Sequence, residues 1–405
     1  MKKIFQIKFH WQIFIAMMLG AVVGIVFPNA NPYTAWLGIL FMNALSMLIV
    51  PLILFSIISG ITGAYKTGKD LKKLGFKTGW MYIVTMLIAI FTGLVLVNII
   101  QPGRQITVEN FAIASTGIHQ SSVSDIVTGF VPSNIIAAMA SNNTLPVILI
   151  AFLVGICISK LSAKSGDILT GFVDSALELT LRITRYVIYL SPLGIFAIVV
   201  KQFASTPDWL TLLKTMLLYV ITVLSGLAIH MFGWMSLIMV FYKINPWKHL
   251  KNMSSALITA FSTASSGATL PVTLYAVEHK NGVSHGITSF AVPLGTTLNM
   301  AGTALLECVA AIFIAQAYGM ELGVVQQIII VATSLLCAIG AAAIPMAGLV
   351  MMTLILNAVG LPIEGIGLVI GVDRILDMAR TAVNVYGDTC VATMIAKSEG
   401  EQINV

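Results

Sequence analysis

The sequence predicts an all-α polytopic membrane protein with eight transmembrane spans and two re-entrant helical hairpins, and three observations carry that prediction. Hydrophobic side chains make up 58% of the 405 residues and charged ones 9%, against roughly 25% charged in soluble domains, so a soluble surface cannot be built. Apolar runs such as 146 to 158, 186 to 200 and 324 to 339, with a mean hydropathy of +0.96, mark lipid-facing helices. Their continuity, in place of alternation, excludes a β-barrel. Lysines cluster in short gaps that alternate crossings place on one side of a membrane. The same composition excludes a cytosolic enzyme, a disulfide scaffold and a disordered chain.

The elements follow in order. Lys2, Lys3 and Lys8 precede a first span over 11 to 28. Its apolar stretch runs to Phe27 without a small-residue cleavage site, so it reads as a retained span and not a signal peptide. Pro28-Asn29-Ala30-Asn31-Pro32 separates it from a second span, 34 to 63, which returns to Lys66, Lys69, Lys72, Lys73 and Lys77. A third span, 79 to 100, leads into a Ser-, Thr-, Asn- and Gly-rich outer loop, 101 to 142, that holds one Arg and no Lys. Spans at 143 to 159, 168 to 201 and 208 to 242 complete an amino-terminal part, 1 to 242, with Lys160, Lys164, Lys243, Lys248 and Lys251 again on the basic side. That side is the cytoplasm, both termini lie there, and the net charge of +6 records topology without implying a nucleic-acid partner.

In the carboxy-terminal part, 243 to 405, small and polar residues interrupt the apolar stretches. Unpaired backbone in lipid costs several kcal/mol per group, so such interruptions must be buried in protein. Ser262 to Pro271 sits in a hairpin spanning 252 to 280; Leu298-Asn299-Met300-Ala301-Gly302-Thr303 breaks a span at 285 to 316; Gly340 to Gly348 sits in a second hairpin at 324 to 358. Two hairpins entering from opposite sides imply inverted repeats around a mid-membrane binding site. The last span, 363 to 396, carries Asp373, Asp377, Arg380, Asn384 and Asp388 within an arc of about 80° at 100° per residue. Carboxylates outnumber Arg380 on that stripe, which leaves room for a cation or an ammonium group. Cys157, Cys308, Cys337 and Cys390 read as buried small residues, and the six histidines form no ligand-like cluster. Arg182 and Arg185 read as span-end residues facing solvent or lipid.

TASSGATLPVT (263 to 273), NMAGTAL (299 to 305), IPMAG (344 to 348) and DMARTAVNVYGD (377 to 388), in this order and spacing, resemble the dicarboxylate/amino acid:cation symporter family, whose best known members transport glutamate and aspartate. The resemblance covers essentially the whole chain. It implies a homotrimer, an elevator mechanism, and an amino-terminal part divided between scaffold and transport spans. Arg380 would then hold the substrate side-chain carboxylate with help from Thr303, a fit for a bidentate guanidinium. Asp377 would take the ammonium, and Thr381, Asn384, Ser265, Ser266, Gly267 and Ile344 would surround the rest of the substrate. One sodium site would use Gly295, Asn299, Asn384 and Asp388, and a second the backbone near Thr297 and Met300. The family's third site takes an Asp and a Thr-Ser pair where this chain has Ala301, Thr85 and Met86, so that site is expected to be lost. Glu307 stands where proton-coupled members carry a glutamate, and a carboxyl buried there can bind and release a proton over a cycle.

These residues imply acidic amino acid uptake coupled to protons and sodium, with no cofactor beyond the coupling ions. A proton-only symporter of the same substrates is the alternative, followed by a C4-dicarboxylate or neutral amino acid symporter. A channel would need a continuous polar lining, and an enzyme a nucleophile with a base or a metal cluster; neither pattern stands out.

Overall fold

A computed structural model describes residues 9–65, 69–105, 131–140, 144–204, 209–340 and 347–405, and all regular structure among them is helical. Helix α1 (Phe9–Val26) ends at a single turn, Pro28–Ala30, and α2 (Asn31–Tyr65) follows. Pro28 opens the turn, and the chain bends by 114° there. Helix α3 (Lys69–Ile100) runs into a short turn at Pro102–Gln105. Helices α4 (Ile135–Ala140) and α5 (Thr144–Ser159) follow.

The expected span at 168 to 201 is instead two helices, α6 (Ala163–Tyr189) and α7 (Ser191–Ala204), separated at Leu190. Pro192, which has no N–H, withholds the hydrogen bond that a continuous helix would make across Leu190. Helix α7 packs on α1 and α2. A Cβ on Gly20 would lie 2.8 Å from the Phe196 carbonyl, so a residue without one is what lets α1 and α7 approach. Helix α8 (Trp209–Ala228) passes through a π turn, Ile229–Trp234, into α9 (Met235–Phe241). By length and apolar character, Leu74–Gln105, Leu210–Phe241 and His285–Ala317 can each cross a membrane, and the bent pair Trp11–Val26 and Pro28–Phe41 makes a fourth candidate.

The first interruption folds as a hairpin. Helix α10 (Pro246–Thr263) starts at Asn245, whose Oδ1 accepts from Trp247 N and Lys248 N at 3.1 Å, and stops at Ala264, which is left-handed with φ 49°. The chain reverses into α11 (Ser266–Tyr275), too short at about 1.5 Å per residue to span a bilayer alone. Helices α12 (His285–Leu298) and α13 (Ala301–Ala317) are one span broken at Asn299 and Met300. Helices α14 (Val324–Gly340) and α15 (Ala347–Ala358) pack together as the second pair. Residues 341–346 between them, Ile344 included, lie outside the described residues. Helix α16 (Ile366–Ser398) is continuous.

The core centres on α13, buried at every position from Ala301 to Ala315 and packed on α3, α8, α14, α15 and α16. Small residues at Ala301, Gly302, Ala304, Ala310 and Ala311 let neighbouring helices close in on it from several sides. At one end of the bundle His249, Asn281, Thr389 and Thr393 form a buried network that joins α10 to α16. Asn404 N donates to Asn281 O at 2.7 Å, which ties the terminal residues to the same turn. Cys308, Cys337 and Cys390 are buried as expected, but Cys157 is exposed on α5 beside Leu153 and Val154. Apolar composition cannot separate a side chain packed in protein from one facing lipid.

Candidate functional site

The polar stripe of α16 faces inward. Asp373, Asp377, Arg380, Thr381, Asn384 and Asp388 are all buried, none more than 5% exposed. Asp377 Oδ1 accepts from both Nε and Nη2 of Arg380 at 2.9 Å, and Asp377 Oδ2 lies 3.5 Å from Nη1 of Arg374. The two residues expected to grip opposite ends of a substrate are thus paired with each other. Arg374, given no role by the sequence, joins them; its position three residues before Asp377 was the available signal. Thr381 Oγ1 donates to the Asp377 carbonyl at 2.7 Å, so its hydroxyl serves its own helix. Nη1 of Arg380 points at Gly348 in the first turn of α15, where an added Cβ would collide with it.

The broken helix meets the same stripe. Asn299 and Met300 leave helical geometry, at φ −115° and −105°, which releases backbone groups that α16 then satisfies. Gly302 N donates to Asn384 Oδ1 at 2.8 Å, and Asn384 Nδ2 donates to Thr303 Oγ1 at 3.1 Å. One turn further, Asn299 Nδ2 donates to Asp388 Oδ1 at 3.0 Å, and Thr85 Oγ1 donates to Asn299 Oδ1 at 3.4 Å. A Cβ on Gly295 would lie 2.6 Å from both Asp388 Oδ1 and the Tyr82 hydroxyl. Gly295, Asn299 and Asp388 therefore converge as an oxygen-rich cluster, while Asn384 spends both ends of its amide on Gly302 and Thr303. Met300 is buried, whereas Thr297 is exposed and its hydroxyl bonds back to the Leu294 carbonyl at 3.0 Å. Met86 and Ala301 are buried without an oxygen in the side chain.

Ser265 caps α11, its Oγ accepting from Ala268 N at 3.2 Å; Ser266 is buried and Gly267 exposed at the same helix start, and α11 packs on α16. An amino-terminal helix end carries partial positive charge and suits an anion. Glu307, one turn beyond Thr303, is fully buried, and neither carboxyl oxygen has a hydrogen-bond partner among the described residues. The site thus offers a paired guanidinium and carboxylate, an oxygen cluster that could hold a cation, and a solitary carboxyl within one packed unit.

Residues 9–398 match the family model described as the sodium:dicarboxylate symporter family. The proton/sodium-glutamate symport protein of Bacillus caldotenax is 32% identical, over 98% of this chain and 96% of its own length. The proton/glutamate-aspartate symporter of Escherichia coli K12 is 32% identical over 97% and 94%. Excitatory amino acid transporter 3 of Oryctolagus cuniculus is 34% identical over 96% and 86%.

Proposed function

The chain belongs to the sodium:dicarboxylate symporter family, and from that premise we propose that it is a membrane symporter, and not an enzyme, that takes up acidic amino acids. The observation that carries the substrate is the buried Arg380–Asp377 pair at 2.9 Å. An acidic amino acid brings an ammonium and a side-chain carboxylate, so it exchanges partners with the pair: its carboxylate takes Arg380 and its ammonium takes Asp377. The side-chain carboxylate and the ammonium are then both compensated, as a low-dielectric site requires, and the α-carboxylate falls to the amino-terminal end of α11 with Thr381 and Asn384. Thr303 adds a hydrogen bond, and Ser265, Ser266, Gly267, Thr381, Asn384 and Ile344 complete the contacts. Substrates without the second carboxylate leave Arg380 uncompensated.

Cations would bind at Gly295, Asn299 and Asp388 with Asn384, and beside the backbone of Thr297 and Met300, in series with a proton on Glu307. Ala301 and Met86 favour loss of a third sodium site, because neither supplies an oxygen ligand. A proton-only symporter is the second reading, favoured by the solitary Glu307 carboxyl. In this reading eight spans and two re-entrant hairpins form inverted repeats, with both termini cytoplasmic and a homotrimer working as an elevator. Uptake of labelled aspartate and glutamate into proteoliposomes, with sodium and proton gradients imposed separately, tests it. Uptake driven by either gradient is expected; transport of neither amino acid under both gradients would refute the substrate assignment.

A further inference from the structure

Arg374, partly buried on α16, is a cation that the proposed cycle does not use. It and Arg380 approach opposite oxygens of one carboxylate: Arg380 holds Asp377 Oδ1 at 2.9 Å, and Arg374 Nη1 stands 3.5 Å from Asp377 Oδ2. Their settings differ. The Arg380 side chain is 3% exposed, pressed against Gly348 and held on Asp377 through Nε and Nη2 with only Nη1 unpartnered, whereas that of Arg374 is 12% exposed and neither its Nε nor its Nη1 has a hydrogen-bond partner among the described residues. Hydrogen bonds from those two nitrogens therefore do not fix Arg374 in place. It can close on Asp377 by well under 1 Å, about the difference between its present distance and a charge-assisted hydrogen bond.

We propose that Arg374 is a positioning residue that keeps the Asp377 carboxylate compensated while Arg380 is engaged by substrate, so that binding does not depend wholly on an ammonium. This rests on the reading of Arg380 as the partner of the substrate carboxylate. When that carboxylate captures Arg380, Asp377 loses both contacts at 2.9 Å. A buried carboxylate that loses its closest cation pays a large penalty unless another cation draws near. An amino acid relieves this with its own ammonium. A four-carbon dicarboxylate brings none, and Arg374 is then the cation already beside Asp377 Oδ2. Asp373, the other buried acid of this turn, cannot substitute because it has the same sign as Asp377.

The test is inhibition of labelled aspartate uptake by unlabelled succinate and by unlabelled aspartate, in proteoliposomes holding the full chain as wild type, Arg374→Gln or Arg374→Lys. Succinate is expected to inhibit the wild type, and Arg374→Gln to raise the succinate inhibition constant about tenfold more than that for aspartate. Arg374→Lys, which restores a cation, should bring the ratio back to within about threefold of wild type. Equal shifts for the two ligands, as a merely structural role for Arg374 would give, overturn the proposal. So does a lysine variant as selective as the glutamine one, or wild-type aspartate uptake that succinate does not inhibit. Should Arg374→Gln not fold, Arg374→Met, which also lacks the charge, takes its place under the same criteria. Wild-type liposomes that take up neither aspartate nor glutamate would instead refute the substrate assignment on which the proposal stands, a result separate from any ratio between variants.

Discussion

Gly348→Ala is a one-atom perturbation far from Arg380 in sequence, yet the structure makes it an attack on that side chain. An added Cβ would collide with Nη1 of Arg380 and lie 2.8 Å from Cζ and 2.9 Å from Nη2. Something must shift, and the guanidinium is the end that can. Moving it breaks the two 2.9 Å contacts with Asp377, in a place where both groups are almost fully buried. In the ligand-free protein that loss lowers stability, by less than the about 3–5 kcal/mol of deleting one partner of a buried ion pair, because the arginine is displaced and not deleted. Affinity falls for a separate reason: binding exchanges the pair for the substrate carboxylate, and a displaced guanidinium no longer meets it, a charge-assisted contact of about 2–3 kcal/mol that at 1.4 kcal/mol per decade is roughly 30- to 150-fold in aspartate affinity. Thermal unfolding in an Arg380→Ala background isolates the cause. With no guanidinium to strike, Gly348→Ala should be neutral or gain up to about 1 kcal/mol from helix propensity, so the sign of its effect should reverse between backgrounds. Aspartate affinity within threefold of wild type, or the same thermal penalty in both backgrounds, would refute the placement of Arg380 against α15.

Four further outcomes follow from the same geometry. Arg380→Cys should abolish acidic amino acid uptake and admit a small neutral substrate such as serine; unchanged aspartate affinity would remove the case for an acidic substrate. Gly295→Ala would set a methyl 2.6 Å from both Asp388 Oδ1 and the Tyr82 hydroxyl, so the sodium concentration giving half-maximal exchange should rise about tenfold or more while the protein still folds; an unaltered sodium titration would count against a cation at that cluster. Glu307→Gln keeps the shape and removes the titrating group, so proton-driven uptake should fall and residual sodium-driven exchange should lose its pH dependence. Ala301→Asp with Met86→Ser should steepen the sodium dependence, and a pair of active variants without either change would sink this account of coupling.

Where a feature depends on neighbours in sequence, it was legible. The break at Asn299 and Met300, the reversal at Ala264 and the inward stripe of α16 all follow from local composition or from 100° per residue. Features set by packing were not. Pairing of Asp377 with Arg380 is an (i, i+3) contact that spacing permits, but permission does not say whether the two groups close on each other. Arg374 lies about 60° from Asp377 on the wheel, outside the stripe, and long side chains reach across such an angle. The missed division at Leu190 had a signal in Pro192, outvoted by the apolar run around it.

The break at Asn299 and Met300 gains its meaning from where α16 satisfies it. Free backbone groups at a helix break are a cost in a membrane, and Asn384 offsets it by accepting from Gly302 N while donating to Thr303. Asn384 stands about 6 Å along the helix from Asp388 on one side and from Arg380 on the other. Asp388 holds Asn299, the residue at which the break begins, and Arg380 faces Gly348 and Asp377. On the proposed reading, a cation that orders Gly295, Asn299 and Asp388 fixes the break; the fixed break sets Gly302 and Thr303 against Asn384; and Thr303 is a substrate ligand beside Arg380. Ion and substrate then share one rigid helix and one asparagine, so each lowers the ordering cost of the other through contiguous hydrogen bonds and no large motion of either site is needed.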